Sequence, residues 1–183
     1  RMKYVQPIRD MDLIEKLKVI LKKQNYRNYF LFIFGINSGL RISDILRLKV
    51  SDVKNKTHIT IIEKKTGKEK RFKLNTNLQA EIKEYVSNMF NDEYLFTPVN
   101  GKSVKPISRE MAWIILNKAA GELGIEEIGT HTLRKTFGYH FYQKTKDVAL
   151  LQNIFNHSAP SVTLRYIGIN QDIIDSAIDE FSL

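Results

Sequence analysis

The chain has 183 residues, no cysteine, 43% hydrophobic content, and 29 lysines and arginines against 20 acidic residues, for a formal charge of +9. That length suits one domain with a sizeable core, and the composition does not indicate disorder. The lack of cysteine excludes disulfides, thiolate metal sites and cysteine nucleophiles and fits a cytosolic protein, no apolar run reaches a membrane span, and the cationic excess favours a polyanion such as nucleic acid.

The first residues, RMKYVQPIRDMD, do not read as a signal peptide. Residues 10–24 place Leu13, Leu17, Ile20 and Leu21 on one helical face, with Asp10 or Asp12 as the cap. Asn25–Ser38 contains YFLFIFGI, apolar on every side, which predicts a buried helix ending at Ser38-Gly39. In LRISDILRL, the residues Leu40, Ile42, Ile45, Leu46 and Leu48 anchor the segment in the core. Arg41 and Asp44, three apart, face one way together. They read either as a structural ion pair or as an arginine steadied by a carboxylate beside a buried helix end.

Two strands follow, Thr57–Glu63 and Arg71–Leu74, joined through the lysine-loaded turn KKTGKEK. The turn is either a solvated hairpin tip or a mobile lysine finger able to reach a phosphate or donate a proton. Asn75–Met89 carries Leu78, Ile82, Tyr85 and Met89 at helical spacing, capped by Thr76 or Asn77. A connecting region with Pro98, Gly101 and Pro106 leads to a helix over Ser108–Ala120, capped by Ser108 and holding Trp113 in the core. Lys102, Lys105 and Arg109 cluster near its start, where basic side chains and a helix N-terminus suit phosphate contact.

After Gly121 and Gly124, Thr130 or Thr132 caps a helix directing Leu133, Phe137 and Phe141 inward. Short helices over Asp147–Phe155 and Ser161–Tyr166 come next. An amphipathic helix over Ile169–Leu183 closes the chain, with Ile173, Ile174, Ala177, Ile178 and Phe181 on one side.

The stretch from Thr130 to Gly168 carries His131, Arg134, His157, Arg165 and Tyr166, polar groups that need partners in a helical core. The histidines lack metal-ligand spacing and there is no HExxH, P-loop, GxGxxG or GxSxG. What remains is cationic: Arg41, Lys65, Arg134 and the histidines. Such a set suits a pentavalent phosphate, whose added negative charge must be stabilised in the transition state.

Four segments, SGLRISDILRLKVSDV, KKTGKEK, THTLRKTFGYH and NHSAPSVTLRYIG, resemble the signature boxes of the tyrosine recombinases, the phage-integrase family, in the family's order. The resemblance runs from about Arg9 to the C-terminus. It implies a mainly α fold with a small antiparallel β-sheet, as in the recombinase catalytic domain. It implies site-specific cleavage and rejoining of double-stranded DNA through a 3′-phosphotyrosyl intermediate, without metal, ATP or other cofactor. Tyr166 matches the nucleophile, and Arg41 and Arg134 match the phosphate clamp. Lys65 matches the general acid, with Lys64 and Lys68 as alternatives. His131 matches the histidine serving proton transfer around the tyrosine, His157 the one bonding the phosphate, and Asp44 the carboxylate orienting the site from behind. A free phenol, with a pKa of about 10, is a poor nucleophile, and adjacent cations would favour its phenolate. Tyr139 and Tyr142 compete as nucleophiles but suit a core or groove role. Lys64, Lys68, Lys102, Lys105, Arg109 and Lys135 are the expected DNA contacts, and Arg165 has no matching catalytic role.

The pattern departs from the family in three places. Asn156 stands where the family has glycine, and asparagine tolerates the left-handed turn. The whole chain, 1–183, reads as a single catalytic domain, with the family's N-terminal DNA-clamping domain absent or removed. The C-terminal helix, which in the family docks on a neighbour in a tetramer, could pack in cis. The expected assembly is a homotetramer on DNA and a monomer free in solution. A type IB topoisomerase-like relaxing activity and a catalytically inactive DNA-binding module are the alternative functions.

Overall fold

The computed structural model describes residues 5–100, 104–126 and 128–183. Among them run α1 (Met11–Gln24), α2 (Tyr26–Ser38), α3 (Ile42–Leu46), α4 (Val50–Val53), β1 (His58–Ile62), β2 (Glu69–Lys73) and α5 (Thr76–Tyr85). Then follow α6 (Arg109–Gly121), α7 (Thr132–Thr145), α8 (Val148–Phe155), α9 (Pro160–Tyr166) and α10 (Ile169–Asp179). The architecture is thus mainly helical with one antiparallel hairpin. None of the helices is long and apolar enough to cross a membrane, among the described residues.

The organising element is α2. Asn25 caps it by accepting from the Asn28 amide, and Phe30, Leu31, Phe32 and Phe34 are buried on every side. Helices α1, α5 and α7 pack around it. Phe30 stacks on Tyr85 with ring centroids 4.0 Å apart, and on Phe96 at 5.6 Å.

The α2–α7 crossing positions the site. Gly35 lies so close to Leu133 that any side chain there would collide with it. Gly39 ends α2 in the left-handed region, at φ +68°, with its Cα against the Phe137 ring. The chain therefore leaves α2 directly beside the first turn of α7, and Arg41 emerges there.

A second apolar cluster, built from Leu151, Phe155, Ile167 and Ile169, seats α9 on α7 and α8. Phe137, Phe141, Tyr139 and Tyr142 are half-buried against this cluster, so the two phenylalanines serve it rather than the main core. A Cβ on Gly138 would come within 2.6 Å of Ile167 and 2.8 Å of Phe155. That close approach brings Tyr166, the last residue of α9, back over the start of α7.

Several local expectations need correction. Asn75, not Thr76 or Asn77, caps α5, accepting from the Leu78 amide at 2.8 Å. That helix stops at Tyr85, short of Met89. Neither Thr130 nor Thr132 caps α7: His131 occupies the cap position, and the Thr132 hydroxyl accepts from the Gly129 amide at 2.8 Å. Trp113 is 41% exposed, because α6 buries the opposite face through Ala112, Ile115, Leu116, Ala119 and Ala120. Helix α10 ends at Asp179, and Ile173, Ile174, Ile178 and Phe181 are all exposed. It does not pack its apolar face in cis.

Candidate active site

Arg41 sits between α2 and α3, where its carbonyl accepts the Asp44 and Ile45 amides and starts the next helix. Its side chain does not pair with Asp44, as the three-residue spacing suggested. Arg41 Nη1 donates instead to Glu63 Oε2, from the residue that follows β1. Asp44 Oδ1 is occupied by Arg47 Nη2 at 2.5 Å and by the Lys64 amide at 3.0 Å. The physical reason is reach. Asp44 is buried under the hairpin, and the inward end of β1 presents Glu63 to Arg41 from the other side.

Arg134 is 3% exposed and held by backbone at both ends of its fork. Nη1 donates to Gly39 O at 2.6 Å and Nη2 to Phe155 O at 3.2 Å, while the guanidinium lies 4.2 Å from the Phe155 ring centroid. Three elements thereby fix one planar cation, so the rotamer cost of ordering it on a ligand is already met by the fold.

His131 and Tyr166 meet across the α7–α9 junction. His131 Nδ1 is 3.2 Å from the Tyr166 hydroxyl. The Tyr166 ring is also flanked by His157, with centroids 5.1 Å apart, and lies 4.9 Å beneath Lys135 Nζ. Burial raises the Tyr166 pKa, and Arg134 and Arg41 offset only part of that rise. The neighbouring arginines do pull toward the phenolate as expected, but in the DNA-free protein burial outweighs them and holds the phenol toward its protonated form. Partial desolvation, then Lys135, Arg134, Lys65 and Arg41, push the His131 pKa down.

His157 follows Asn156, which closes α8 in the left-handed region at φ 57°. His157 Nδ1 lies 2.8 Å from the Thr163 hydroxyl. Burial first, then Arg134, Arg41, Lys70 and Lys65, lower its pKa to about 4, so the ring is neutral near neutral pH.

Arg41, His131 and Arg134 line a cleft of about 450 Å³ together with Lys64, Lys65 and Arg109 among others. Lys65 is exposed at the hairpin tip. Lys68 faces a separate groove with Asn156 and His157. Lys105 is exposed, Lys135 Nζ donates to Val5 O at 2.9 Å, and Lys102 lies outside the described residues. Arg165 is exposed on α9. His140 is tied to Ile8 O at 2.8 Å and takes no part. Among the described residues no group of three or more His, Cys, Asp or Glu could hold a metal.

Two buried site residues escaped the sequence reading. Glu63 is 1% exposed, and Lys70 Nζ is buried without a hydrogen-bond partner among the described residues. KKTGKEK is thus not wholly a solvated tip, because Lys70 belongs to β2, opposite Ile61. Burial and the adjacent Arg134 pull the Lys70 ammonium down to about 8. The alternation Ile59, Ile61, Glu63 was the available signal, since it puts the carboxylate on the inward face of the strand.

Residues 10–172 match the model of the phage integrase family. The chain belongs to that family. It is 56% identical over 180 residues to the probable integrase/recombinase YoeC of Bacillus subtilis (strain 168), covering 98% of each chain. It is 26% identical to the tyrosine recombinase XerA of Pyrococcus furiosus, covering 93% of this chain but 60% of that protein. The crystal structure of a XerA recombinase superposes with a TM-score of 0.75 at 18% identity, over 100% of this chain and 67% of the other. The Tn1549 transposon integrase (aa 82–397, R225K) in complex with a circular intermediate DNA gives 0.72 at 18% identity, over 90% of this chain and 62% of that one. These likenesses establish the fold of a tyrosine recombinase catalytic domain.

Proposed function

We propose that the protein cleaves and rejoins double-stranded DNA at specific sites through a covalent bond to Tyr166. The observation that carries this reading is the hydroxyl of Tyr166 held at 3.2 Å from His131 Nδ1, near Arg134 and Arg41, with His131 itself lining a cation-rich cleft. The names of the relatives, integrase and recombinase, support it.

A scissile phosphate in the cleft would receive the Arg41 and Arg134 forks on its non-bridging oxygens. Tyr166 Oη attacks phosphorus as its proton passes to neutral His131. The bond from phosphorus to the 5′-oxygen breaks, and Lys65 supplies the proton that oxygen needs. With Nδ1 accepting from the Thr163 hydroxyl, His157 would carry its proton on Nε2 and donate it to the phosphate. Rejoining runs the same steps in reverse, so phosphodiester energy is conserved. The protein side chains supply the charge stabilisation, with no metal or nucleotide cofactor called for. The remaining cations, Lys64, Lys68, Lys105 and Arg109, would contact the flanking backbone, which gives affinity and salt dependence rather than sequence choice.

Assembly is the finer part of the proposal. The exposed isoleucines of α10 form an apolar face that suits a second copy of the chain, as expected of a homotetramer on DNA. A topoisomerase-like activity needs no such face, and an inactive DNA-binding module needs no tyrosine–histidine contact. Covalent trapping on random-sequence DNA, followed by sequencing of the trapped strands, tests chemistry and site preference together. Adducts clustered on one sequence are expected, and absence of any adduct refutes the reading.

A further inference from the structure

Glu63 lies at a crossing of three parts of the site that are far apart in the chain. Its Oε2 accepts from Arg41 Nη1, and its Oε1 accepts from Asn156 Nδ2 at 2.7 Å. Its backbone closes the lysine hairpin: Glu63 N donates to Lys68 O at 2.9 Å, and Gly67 N donates to Glu63 O at 2.8 Å. One residue therefore touches the phosphate-clamping arginine, the turn that carries His157 and the base of the loop that carries Lys65. At 1% exposure, the carboxylate cannot trade these partners for water.

We propose that Glu63 is a positioning residue of the cleavage site, holding Arg41, the His157 turn and the Lys65 hairpin in one fixed arrangement. This rests on the cleavage reading above. Asp44 cannot substitute for it. Asp44 Oδ1 is committed to Arg47 and the Lys64 amide, and among the described residues the Asp44 carboxylate makes no hydrogen bond or ion pair with the Arg41 guanidinium or the Asn156 amide. The Asn156 side chain makes the second arm of the brace. Asparagine there keeps the left-handed turn and adds an amide that reaches Glu63. The charges fit a site awaiting an anion. Arg41, Arg47, Arg134 and the buried Lys70 ammonium outnumber the carboxylates of Glu63 and Asp44 by two, an excess that phosphate would offset.

The test follows from hydrogen-bond polarity. A carboxylate accepts from both Arg41 and Asn156. Glu63→Ala removes both arms. Glu63→Gln keeps them, since its carbonyl accepts from Arg41 and its amide can donate to Asn156 Oδ1 once the Asn156 amide turns over. The measurement is the single-turnover rate of adduct formation on a nicked suicide duplex at saturating protein, with DNA affinity read separately. We expect Glu63→Ala to slow cleavage by about 10- to 100-fold with affinity nearly unchanged, and Glu63→Gln to regain about tenfold of that loss. Asn156→Gly, which keeps the turn and removes one arm, should slow cleavage by about three- to tenfold, and it decides the matter if Glu63→Ala does not fold. A wild-type rate in Glu63→Ala or Asn156→Gly, a loss confined to affinity, or no advantage of Glu63→Gln over Glu63→Ala overturns the proposal. Absence of adduct with the wild-type protein would instead sink the cleavage reading.

Discussion

His131 Nδ1 and the Tyr166 hydroxyl stand 3.2 Å apart, one at the first turn of α7 and the other at the last residue of α9. The contact joins a histidine pushed toward its neutral form to a phenol pushed toward its protonated form. That is the arrangement of a base facing its acid before proton transfer.

The pH dependence of cleavage follows from the direction of the His131 shift. Its folded pKa is depressed, so imidazole remains able to accept a proton below the ordinary histidine value of about 6.5. The acid limb of the rate profile should therefore lie below that value. His131→Gln should slow cleavage by about 100-fold or more. A limb above the ordinary value, or a rate unaltered in His131→Gln, would show that another group takes the proton.

Lys65 lines the cleft from the exposed hairpin tip, and Lys64 is its neighbour on the same wall. Lys65→Ala should slow cleavage of a normal strand yet leave a strand with a 5′-thio leaving group almost unaffected, since a thiolate departs without a proton. Lys64→Ala should spare both substrates. Equal losses on both substrates in Lys65→Ala would remove Lys65 from the proton transfer.

Acid stability should report on His157. Its folded pKa of about 4 lies below the unfolded value, which is about 6.5. The unfolded chain therefore binds the extra proton first, and stability falls as pH drops from about 6.5 toward 4. Thermal melts should show a smaller loss between pH 7 and 5 in His157→Asn than in the wild type. Parallel melting curves for the two proteins would contradict the buried neutral ring.

The α10 face predicts a separation of folding from assembly. Ile174 and Ile178 are 51% and 66% exposed, so Ile174→Asp with Ile178→Asp should change stability by only about 0.5 kcal/mol per site. Multi-subunit DNA complexes should disappear in gel-shift or light-scattering measurements, while single-copy binding persists. Unaltered assembly would place the contact elsewhere.

Much of the fold was legible because its signals are local. The apolar spacing of α1, the all-round hydrophobicity of α2 and the turn residues of the hairpin each carry their own physical cause. The candidate site was proposed through the boxes resembling a known family, and the structure sets His131 and His157 against Tyr166, with Arg41 and Arg134 close by. The partner of Arg41 was not legible. Spacing along a helix pointed to Asp44, but the pairing depends on how the hairpin crosses the α2–α3 turn, and only the tertiary fold brings Glu63 there. The burial of Tyr166 was not legible for a similar reason. Cations can be counted in a sequence, whereas the desolvation that outweighs them appears only when Phe155, His157 and Lys135 close around the ring.

Covalent capture tests the central claim most directly. A nicked suicide duplex carrying the preferred site is incubated with wild type and with Tyr166→Phe, and denatured adducts are digested and mapped by mass spectrometry. The wild type should yield a DNA-linked peptide containing Tyr166, and Tyr166→Phe should yield none while still binding the duplex. An adduct that persists in Tyr166→Phe, or one mapped to Tyr139 or Tyr142, would contradict the assignment.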